Sequence, residues 1–379
     1  MNVYVHSLSS ALARAGVDCD VYTRAWRRGL APVVSVEPGF RVHHVAAGPV
    51  GMVAKESMPE LVPEFTQGVL DAISAHGEPD LIHANYWLSG VAGHALKHEL
   101  GLPLIATFHT LARVKAEVLA DKGESRGRAE AEVVGCSDAI LASSEDERAQ
   151  LERLYDAQPG RVEIVPPGVD HERFAPGDRA RARGRLGLGE GPILLFVGRI
   201  QPLKGVDVAI ETAARLAPDV TLVIVGGPSG PDGESERHRL DRLVSDLGVG
   251  SRVRFVPPQP HAELATWYRA ADLCLVPSRS ESFGLVALEA AACGTPVVAA
   301  AVGGLPTLVD HGVTGFLVDG GDSDGFAARV AEVLGDPARA ARMGQASALR
   351  ARRYSWSITA ARLRRLYADL TARDLVECR

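Results

Sequence analysis

Two glutamates stand where an α/β chain commonly carries its chemistry, close behind an apolar strand pattern. Glu281 lies in the polar loop that follows the apolar run LCLVP, and Glu289 comes eight residues later, inside the helical pattern LVALEAAAC. A charge within such an apolar run is costly unless a partner binds it, so Glu289 is a candidate binding residue. The alternative is that Glu281 complements a helix dipole and that Glu289 is a solvated helix residue.

The start of the same helical pattern is a candidate anion site. Phe283 and Gly284 lead into the helix, and the first backbone N–H groups of a helix have no partner within it. Together with the positive end of the helix dipole, these groups suit a phosphate.

Two cations follow another apolar strand pattern. Arg199 and Lys204 lie in the segment FVGRIQPLKG. Cations at the carboxyl end of a strand suit a diphosphate leaving group, because they stabilise its developing negative charge. The alternative is a pair of ordinary surface cations on a turn. In a doubly wound sheet the ligand crevice lies beyond the carboxyl ends of the strands, which favours the functional interpretation.

The first half of the chain offers a second group of polar side chains. His109 and Thr110 end the strand pattern ATFHTL, while Lys55, Tyr86 and Arg126 lie in the segments AKESMPE, NYWLSG and ESRGRAE. Cations and hydroxyl donors are the groups that a phosphate dianion requires. Taken one at a time, each of these residues also fits an ordinary surface or structural role.

The paired glutamates resemble the E-x7-E motif of retaining glycosyltransferases with the GT-B fold, family 4 in particular. The pattern G-R-x-x-x-x-K-G is similar to the diphosphate-binding pair of the same family. This resemblance implies that Glu281 binds the donor sugar, that Glu289 binds the nucleotide ribose, and that Arg199 and Lys204 bind the diphosphate. It also implies further donor contacts from Arg254, Ser282, Phe283, Gly284 and Leu285.

Segments of the first half resemble the branch of family 4 that begins mycothiol synthesis. Members of that branch transfer N-acetylglucosamine from UDP-N-acetylglucosamine to inositol 1-phosphate. The resemblance implies that His109 lies beside the reacting sugar. The implied acceptor-phosphate site consists of Asn2, Lys55, Tyr86, Thr110 and Arg126. Two alternatives stay open, namely a secondary-metabolite transferase with another acceptor and a truncated, non-catalytic protein that binds sugar nucleotides.

Length and pattern predict two α/β domains within the 379 residues. We predict an acceptor-binding domain over residues 1–175, a nucleotide-sugar-binding domain over residues 190–355, and a polar connection between them. By the resemblance, a C-terminal helix within residues 356–379 crosses back to the first domain, with an apolar stripe through Ile358, Leu363, Leu366 and Leu370. The expected fold is therefore GT-B, with two facing Rossmann-like domains and an interdomain cleft.

Strand and helix patterns alternate through both halves. Helical patterns cover Val62 to His76 and Trp87 to Leu100, and the charged segment Val114 to Gly135 is typical of a solvated amphipathic helix. The strand patterns are DCDVYT, FRVHHVAA, PDLIHA, PLIATFH, AILAS, VEIVPPG, PILLFVG, VTLVIVGG, RVRFVP, LCLVP, PVVAA and GFLVD.

The chain opens with the helical pattern MNVYVHSLSSALARAG. A doubly wound domain begins instead with a strand and a glycine-rich turn. The first strand of the N-terminal domain is therefore expected to be missing. A start codon assigned too far downstream would explain this, and a truncated, impaired protein is the other explanation.

Charge and cysteine usage exclude several classes of protein. The formal charge of −6 is unfavourable for a general nucleic-acid or membrane surface, and no apolar run reaches transmembrane length. The five cysteines have no C-x-x-C spacing, which indicates neither a zinc site nor a disulfide framework and fits a cytoplasmic protein. The glycine-rich segment VGGPSGPDG is not G-x-G-x-x-G, so a dinucleotide oxidoreductase is poorly supported.

No cofactor is expected, because the UDP-sugar is a co-substrate. The D-x-D triplets Asp18–Asp20 and Asp322–Asp324 could hold a metal on a diphosphate. We interpret both as structural, since Arg199 and Lys204 make a metal unnecessary. Family members are often dimers, so the resemblance allows a homodimer.

Overall fold

The computed structural model describes residues 2–118, 124–230 and 233–378. Its internal contacts divide the chain into two compact units. The first unit is Met1–Gly168 with Trp356–Arg379, and the second is Val169–Ser355. Within the described ranges, no helix is both long enough and apolar enough to cross a membrane.

Strands and helices alternate along the chain. The strands are β1 (Cys19–Arg24), β2 (Val33–Glu37), β3 (Phe40–Val45), β4 (Ile82–Asn85), β5 (Leu104–Thr107), β6 (Ala139–Ala142), β7 (Val162–Ile164), β8 (Ile193–Val197), β9 (Thr221–Val225), β10 (Val253–Val256), β11 (Leu273–Val276), β12 (Val297–Ala300) and β13 (Gly315–Val318). The helices are α1 (Asn2–Arg14), α2 (Val62–His76), α3 (Trp87–Leu100), α4 (Ala112–Val118), α5 (Glu124–Cys136), α6 (Glu145–Tyr155), α7 (Arg179–Leu186), α8 (Val206–Ala214), α9 (Gly233–Asp246), α10 (His261–Ala270), α11 (Leu285–Ala292), α12 (Leu305–Leu308), α13 (Ser323–Leu334), α14 (Pro337–Ala351) and α15 (Trp356–Thr371).

The strands of the first unit form two sheets. One is three-stranded with the order β1-β3-β2, and the other is four-stranded with the order β4-β5-β6-β7. All pairs are parallel except β2 with β3. In the doubly wound order, the strand before the first helix lies between the strands equivalent to β1 and β4. Among residues 2–118 and the later described ranges, no strand occupies that position.

Helices α1 and α15 pack against each other in the first unit. Leu363 and Leu370 are buried in one apolar cluster with Leu8. The predicted apolar stripe of α15 was wrong at one position, because Ile358 is 42% exposed. Ala360 is buried instead, since it lies three residues before Leu363 and so on the same face of the helix.

The charged segment around α5 is not the solvated helix that its composition predicted. Val133 and Val134 are buried in the core of the first unit, and Glu130 is fully buried as well. Residues 119–123 of the predicted segment lie outside the described residues. The interpretation failed because Glu130 is held by protein partners that composition does not reveal.

The second unit contains one six-stranded parallel sheet with the order β10-β9-β8-β11-β12-β13. Strands β8, β11 and β12 are almost entirely buried, which explains their continuous apolar sequences. The chain runs from β8 outwards to β10 and then returns to place β11 on the other side of β8. The strand order therefore reverses between β8 and β11, where ligands bind in sheets of this kind.

Cysteine spacing gave no sign of the one cysteine pair within the described residues. Cys136, at the end of α5, forms a disulfide with Cys378 near the end of the chain. The expectation that the cysteines form no disulfide was therefore wrong. The two residues are separated by 242 positions, so no local pattern could reveal the pairing. Cys19, Cys274 and Cys293 are free thiols.

Candidate functional site

Lys204 and Glu281 meet at the point where the strand order of the second unit reverses. They lie in the loops after β8 and β11, which are neighbouring strands. Lys204 Nζ lies 2.6 Å from Glu281 Oε2, and the Ser278 hydroxyl donates to the same oxygen at 3.2 Å. The two charged side chains are 23% and 18% exposed. This predicted cation and this predicted glutamate thus form one ion pair that a ligand can reach.

Arg279 links the loops after β8 and β11 through hydrogen bonds. Its guanidinium donates to both carboxylate oxygens of Asp207, at 3.0 and 2.8 Å, and to the Pro202 carbonyl at 2.7 Å. Burial alone would raise the pKa of Asp207, but its hydrogen bonds and ion pairs with arginines hold that pKa below its usual value. Bidentate contacts of this kind fix geometry as well as charge. The loops that carry Lys204 and Glu281 are therefore ordered before any ligand arrives.

The loop after β12 is in direct contact with the Glu281 backbone. The backbone N–H of Gly304 donates to the Glu281 carbonyl at 3.2 Å. A Cβ atom at Gly303 would lie 1.7 Å from that carbonyl oxygen, and the φ of Gly303 is +55°. Only glycine fits such a close approach in the left-handed region.

The backbone at the start of α11, rather than the Phe283 side chain, offers the anion site. Phe283 is buried, with its ring edge-on to Tyr354. Gly284 is the N-cap residue with φ of +101°, and the Leu288 N–H donates to its carbonyl. The backbone N–H groups of residues 285–287, which precede Leu288, therefore have no acceptor within the helix. Ser282 and Leu285, beside them, are half-buried.

Glu289 is buried and held by protein partners. It is 6% exposed, so the alternative of a solvated helix residue was wrong. His261 Nε2 lies 2.7 Å from Glu289 Oε1, and the Tyr268 hydroxyl donates to Oε2 at 2.9 Å. A carboxylate has about four lone-pair positions, so these two contacts leave capacity for a ligand hydroxyl. Sequence patterns gave no sign of His261 or Tyr268 as partners.

The other two predicted donor cations are exposed. Arg199 follows Gly198, whose N–H donates to the Val225 carbonyl and extends the β8–β9 pairing by one residue. Arg254 is the second residue of edge strand β10, roughly 7 Å from the carboxyl end of that strand. Their contacts with a donor stay predictions.

Three predicted acceptor residues come together in the first unit. The Arg126 guanidinium donates through Nη2 to the Thr110 carbonyl at 2.6 Å and to the Thr110 hydroxyl at 3.1 Å. Its carbon atom lies 5.1 Å from the centre of the Tyr86 ring, a distance at which a cation is attracted to an aromatic face. One cation, one hydroxyl and one phenol therefore share a small region of the first unit.

Arg126 also belongs to a buried ion pair. Its Nε atom lies 2.7 Å from Glu130 Oε1 on the next turn of α5, and the side chains are 12% and 0% exposed. The other oxygen of Glu130 accepts from the Ala112 N–H at 2.9 Å and from the Tyr155 hydroxyl. The Arg126 guanidinium is thus held in place by the carboxylate of Glu130, which solvent does not reach.

Asn2 and Lys55 stand apart from this group in the contacts that the structure describes. Asn2 is the exposed first residue of α1, and Lys55 is the exposed first residue of the 3-10 helix Lys55–Leu61. Within the described ranges, no hydrogen bond or ion pair joins either residue to Arg126, Thr110 or Tyr86. Their part in an acceptor site stays a prediction.

His109 sits in a strained backbone position at the carboxyl end of β5. Its φ is +61°, which is uncommon for a residue other than glycine and clusters at functional sites. His109 Nε2 lies 2.9 Å from Asn85 Oδ1, and its ring is edge-on to Tyr4. Burial lowers the pKa of His109 to about 3. Its imidazole is therefore neutral near pH 7.

Comparison with known proteins places the chain in a family. The family model described as Glycosyltransferase Family 4 matches residues 1–173, and the model described as Glycosyl transferases group 1 matches residues 178–350. The D-inositol 3-phosphate glycosyltransferase of Salinispora tropica is 47% identical over 98% of this chain and 81% of the relative. This chain is a family 4 glycosyltransferase.

Two further similarities agree with this membership. D-inositol 3-phosphate glycosyltransferase 2 of Catenulispora acidiphila is 47% identical over 100% of this chain and 91% of its own length. The structure of sucrose-phosphate synthase from Thermosynechococcus elongatus matches with a TM-score of 0.91 and 35% identity, over 98% of this chain and 93% of that one. The resemblance read from the motifs is thereby confirmed, as is the expectation of the GT-B fold with two Rossmann-like units.

Sequence reasoning missed a buried carboxylate in this glycosyltransferase. Glu147 accepts from the Ser143 N–H at 2.7 Å and from the Ser143 hydroxyl, directly after β6. Burial raises its pKa. The signal in the sequence was Ser144-x-x-Glu147, a helix-capping pattern, and the Ser144 hydroxyl does accept from the Glu147 N–H at 3.2 Å. Glu147 therefore shares the carboxyl edge of the sheet with Asn85 and His109.

The D-x-D triplets of the glycosyltransferase are occupied by protein contacts. Asp20 accepts two hydrogen bonds from Arg41, both at 2.7 Å, and lies 2.7 Å from His43 Nε2. Asp322 caps α13 by accepting from the Gly325 N–H at 2.9 Å. Both carboxylates thus have structural partners. In the glycine-rich segment after β9, positions 231 and 232 lie outside the described residues.

Proposed function

We propose that this glycosyltransferase transfers N-acetylglucosamine from UDP-N-acetylglucosamine to 1L-myo-inositol 1-phosphate, the first step of mycothiol biosynthesis. The observation that carries the proposal is the 47% identity, over nearly the whole chain, with relatives named for D-inositol 3-phosphate, which is the same compound numbered differently. We propose retention of configuration by substitution on one face of the sugar, without a sugar bound covalently to the enzyme.

Lys204 and Glu281 bind different parts of the donor in this proposal. In the proposal, Lys204 and Arg199 stabilise the negative charge that develops on the departing diphosphate. The N–H groups at the start of α11 bind phosphate oxygens. Glu281, held in place by Lys204 and Ser278, accepts a hydrogen bond from a donor-sugar hydroxyl, as an ionised carboxylate does.

The nucleoside binds through Glu289 in this proposal. Its carboxylate is oriented by His261 and Tyr268 and accepts hydrogen bonds from the ribose hydroxyls. Arg254 contributes a contact to the uracil base.

The acceptor phosphate binds to Arg126, Thr110 and Tyr86 in the proposal, with Lys55 and Asn2 as further contacts. A phosphate dianion favours a fixed guanidinium over a flexible ammonium, because the guanidinium loses less freedom on binding. Glu130 supplies that fixation. His109 acts at the reacting sugar as a neutral hydrogen-bonding group, because its pKa of about 3 keeps it uncharged.

The proposal includes a transfer reaction that needs no metal, a cytoplasmic location and a homodimer. The guanidinium and ammonium groups of Arg199 and Lys204 supply the positive charge that a metal would otherwise provide. Three free thiols fit a reducing compartment, and the Cys136–Cys378 disulfide would be reduced there. Activity in excess chelator tests the first point, and light scattering tests the last.

Release of UDP from UDP-N-acetylglucosamine, measured with and without inositol 1-phosphate, tests the proposed reaction. Release that depends on the acceptor would support donor, acceptor and reaction together. Turnover with an aminocyclitol or a thiol acceptor, and none with inositol phosphate, would replace the acceptor with that of a secondary-metabolite transferase. UDP binding without turnover on any acceptor would point to a non-catalytic protein.

A further inference from the structure

Four metal-binding side chains meet in the first unit, at the end of its sheet opposite to His109. They are His94 and His98 on α3, Cys136 at the end of α5, and Cys378 near the end of the chain, and one ligand atom of each lies within 4.8 Å of the others. Helices in an α/β unit run back to the amino ends of the strands. The cluster therefore lies near the start of β5 and β6, whereas His109 lies at the carboxyl end of β5.

The two histidines converge on one sulfur. They are four residues apart and so share one face of the helix. Their Nε2 atoms are 3.1 Å apart and lie 3.8 and 3.2 Å from Cys378 Sγ. Tetrahedral zinc, with Zn–N near 2.0–2.1 Å and Zn–S near 2.3 Å, places its ligand atoms roughly 3.3 to 3.8 Å apart. The two imidazoles and Cys378 thus approach the arrangement of three zinc ligands.

A buried carboxylate holds both cysteine-bearing segments in place. Lys97 Nζ donates to the Cys136 carbonyl at 2.8 Å and to Asp138 Oδ2 at 2.7 Å. The Val376 N–H, two residues before Cys378, donates to the other Asp138 oxygen at 2.7 Å. The C-terminal segment is therefore anchored where its cysteine reaches α3.

We propose that His94, His98, Cys136 and Cys378 bind one zinc ion when the two cysteines are reduced. Two imidazoles and two thiolates are a ligand set typical of closed structural zinc sites. A disulfide accounts for the two cysteines only, because sulfur is a weak hydrogen-bond acceptor and gives two imidazole nitrogens little reason to converge on it. The zinc is structural and adds nothing to the transfer reaction.

Conversion of the disulfide form into the zinc-bound form requires two steps, reduction and metal binding. A dithiol reductant supplies two electrons and two protons, which convert the disulfide into two thiols. Zinc then displaces both thiol protons to solvent, and each sulfur bonds the metal instead of the other sulfur. The sulfurs must separate to about 3.8 Å, which is the edge of a tetrahedron with Zn–S bonds of about 2.3 Å.

Metal analysis of untagged, full-length protein tests the proposal. The protein is reduced with a phosphine, supplied with zinc, and passed through a desalting column before its zinc content is measured. We expect one zinc per chain in the unaltered protein and loss of that zinc in His98→Ala and Cys378→Ser. His76→Ala, at an exposed histidine near the end of α2, and Cys19→Ser are matched controls that should keep it.

Cobalt gives a second readout that does not depend on retention through a column. Reduced protein titrated with cobalt(II) should show thiolate charge-transfer bands and intense tetrahedral d–d bands, and both should disappear in Cys378→Ser. Equal zinc content in the ligand variants and the controls would overturn the proposal. So would the absence of a cobalt spectrum in protein whose Cys136 and Cys378 are both shown by mass spectrometry of alkylated peptides to be free thiols.

Discussion

The two units each contain a predicted phosphate-binding cation paired with a carboxylate, yet the two pairs differ in burial. Lys204 lies 2.6 Å from Glu281, and Arg126 lies 2.7 Å from Glu130. Both members of the first pair are partly exposed, whereas Glu130 is fully buried. A pair that solvent reaches can exchange partners with a ligand. A pair with a buried carboxylate fixes the cation and offers only its outer face.

This difference predicts that the same truncation acts on stability in one unit and on catalysis in the other. Removing one partner of a buried pair leaves a buried, uncompensated charge, whereas removing one partner of a partly exposed pair leaves a charge that water can reach.

Arg126→Ala should produce the largest effect, a loss of about 3–5 kcal/mol in the free energy of unfolding, because Glu130 then stays buried without its cation. Urea denaturation followed by far-ultraviolet circular dichroism measures this loss. Lys55→Ala, at an exposed cation of the same unit, should leave the unfolding free energy nearly unchanged. Equal stability of the two variants would show that Glu130 does not need Arg126.

Arg126→Lys is the better variant for testing acceptor binding, because it keeps the charge beside Glu130 while it removes the guanidinium fork. We expect a rise in the KM for inositol phosphate that exceeds any rise in the KM for the donor. Steady-state kinetics with each substrate varied in turn gives both values. Equal changes in the two would remove Arg126 from the acceptor site.

Lys204→Ala should lower kcat/KM by about 10²–10³-fold, or roughly 2.7–4 kcal/mol, the usual cost of removing one charge-stabilising group. Its melting temperature should stay close to that of the unaltered protein. Arg185→Ala, at an exposed ion pair with Glu263, is the control cation. If Lys204→Ala had a much lower melting temperature but an unchanged kcat/KM, the Lys204–Glu281 pair would serve stability rather than catalysis.

Gly303→Ala should cost about 1–3 kcal/mol of stability from overpacking and reduce turnover, because its Cβ collides with the Glu281 carbonyl. Gly312→Ala is a matched control, since Gly312 also has positive φ but a Cβ atom there would have no other atom within 4 Å. Both variants carry the backbone strain, and only Gly303→Ala disturbs Glu281. Identical turnover in the two would show that the glutamate loop tolerates displacement.

Acid should destabilise the first unit through two buried histidines. Burial lowers the pKa of His83 to about 4 and of His109 to about 3, both below the ordinary value of 6.5. Between those values the unfolded chain binds more protons, so the stabilising contribution is complete above pH 6.5 and is lost as the pH falls. Each histidine contributes a slope of about 1.4 kcal/mol per pH unit.

Unfolding of His83→Asn and of His109→Asn, measured between pH 6.5 and 4.5, tests this slope. Each variant should lose stability less steeply than the unaltered protein. His76→Asn, at an exposed histidine, should keep the original slope. A slope unchanged in both buried-site variants would place the acid sensitivity in the carboxylates instead.

The sequence by itself determined the alternation of elements and the loops that carry the chemistry. Helices α2 and α3 have the predicted bounds, and every predicted strand pattern overlaps a strand. Periodic burial and turn residues are local properties, so a local pattern reveals them. Strand β2 was missed although three of its five residues are valine, because the segment is short, lies between Pro32 and Pro38, and is largely exposed.

Only the tertiary structure decided which side chains meet. The partners of Glu289 precede it by 21 and 28 residues, and Asp207 precedes its partner Arg279 by 72 residues. Cys378 reaches histidines that precede it by 284 and 280 residues. A buried charge or thiol must be satisfied by whatever the packed elements bring beside it. That choice depends on strand order and helix packing, which local sequence does not encode.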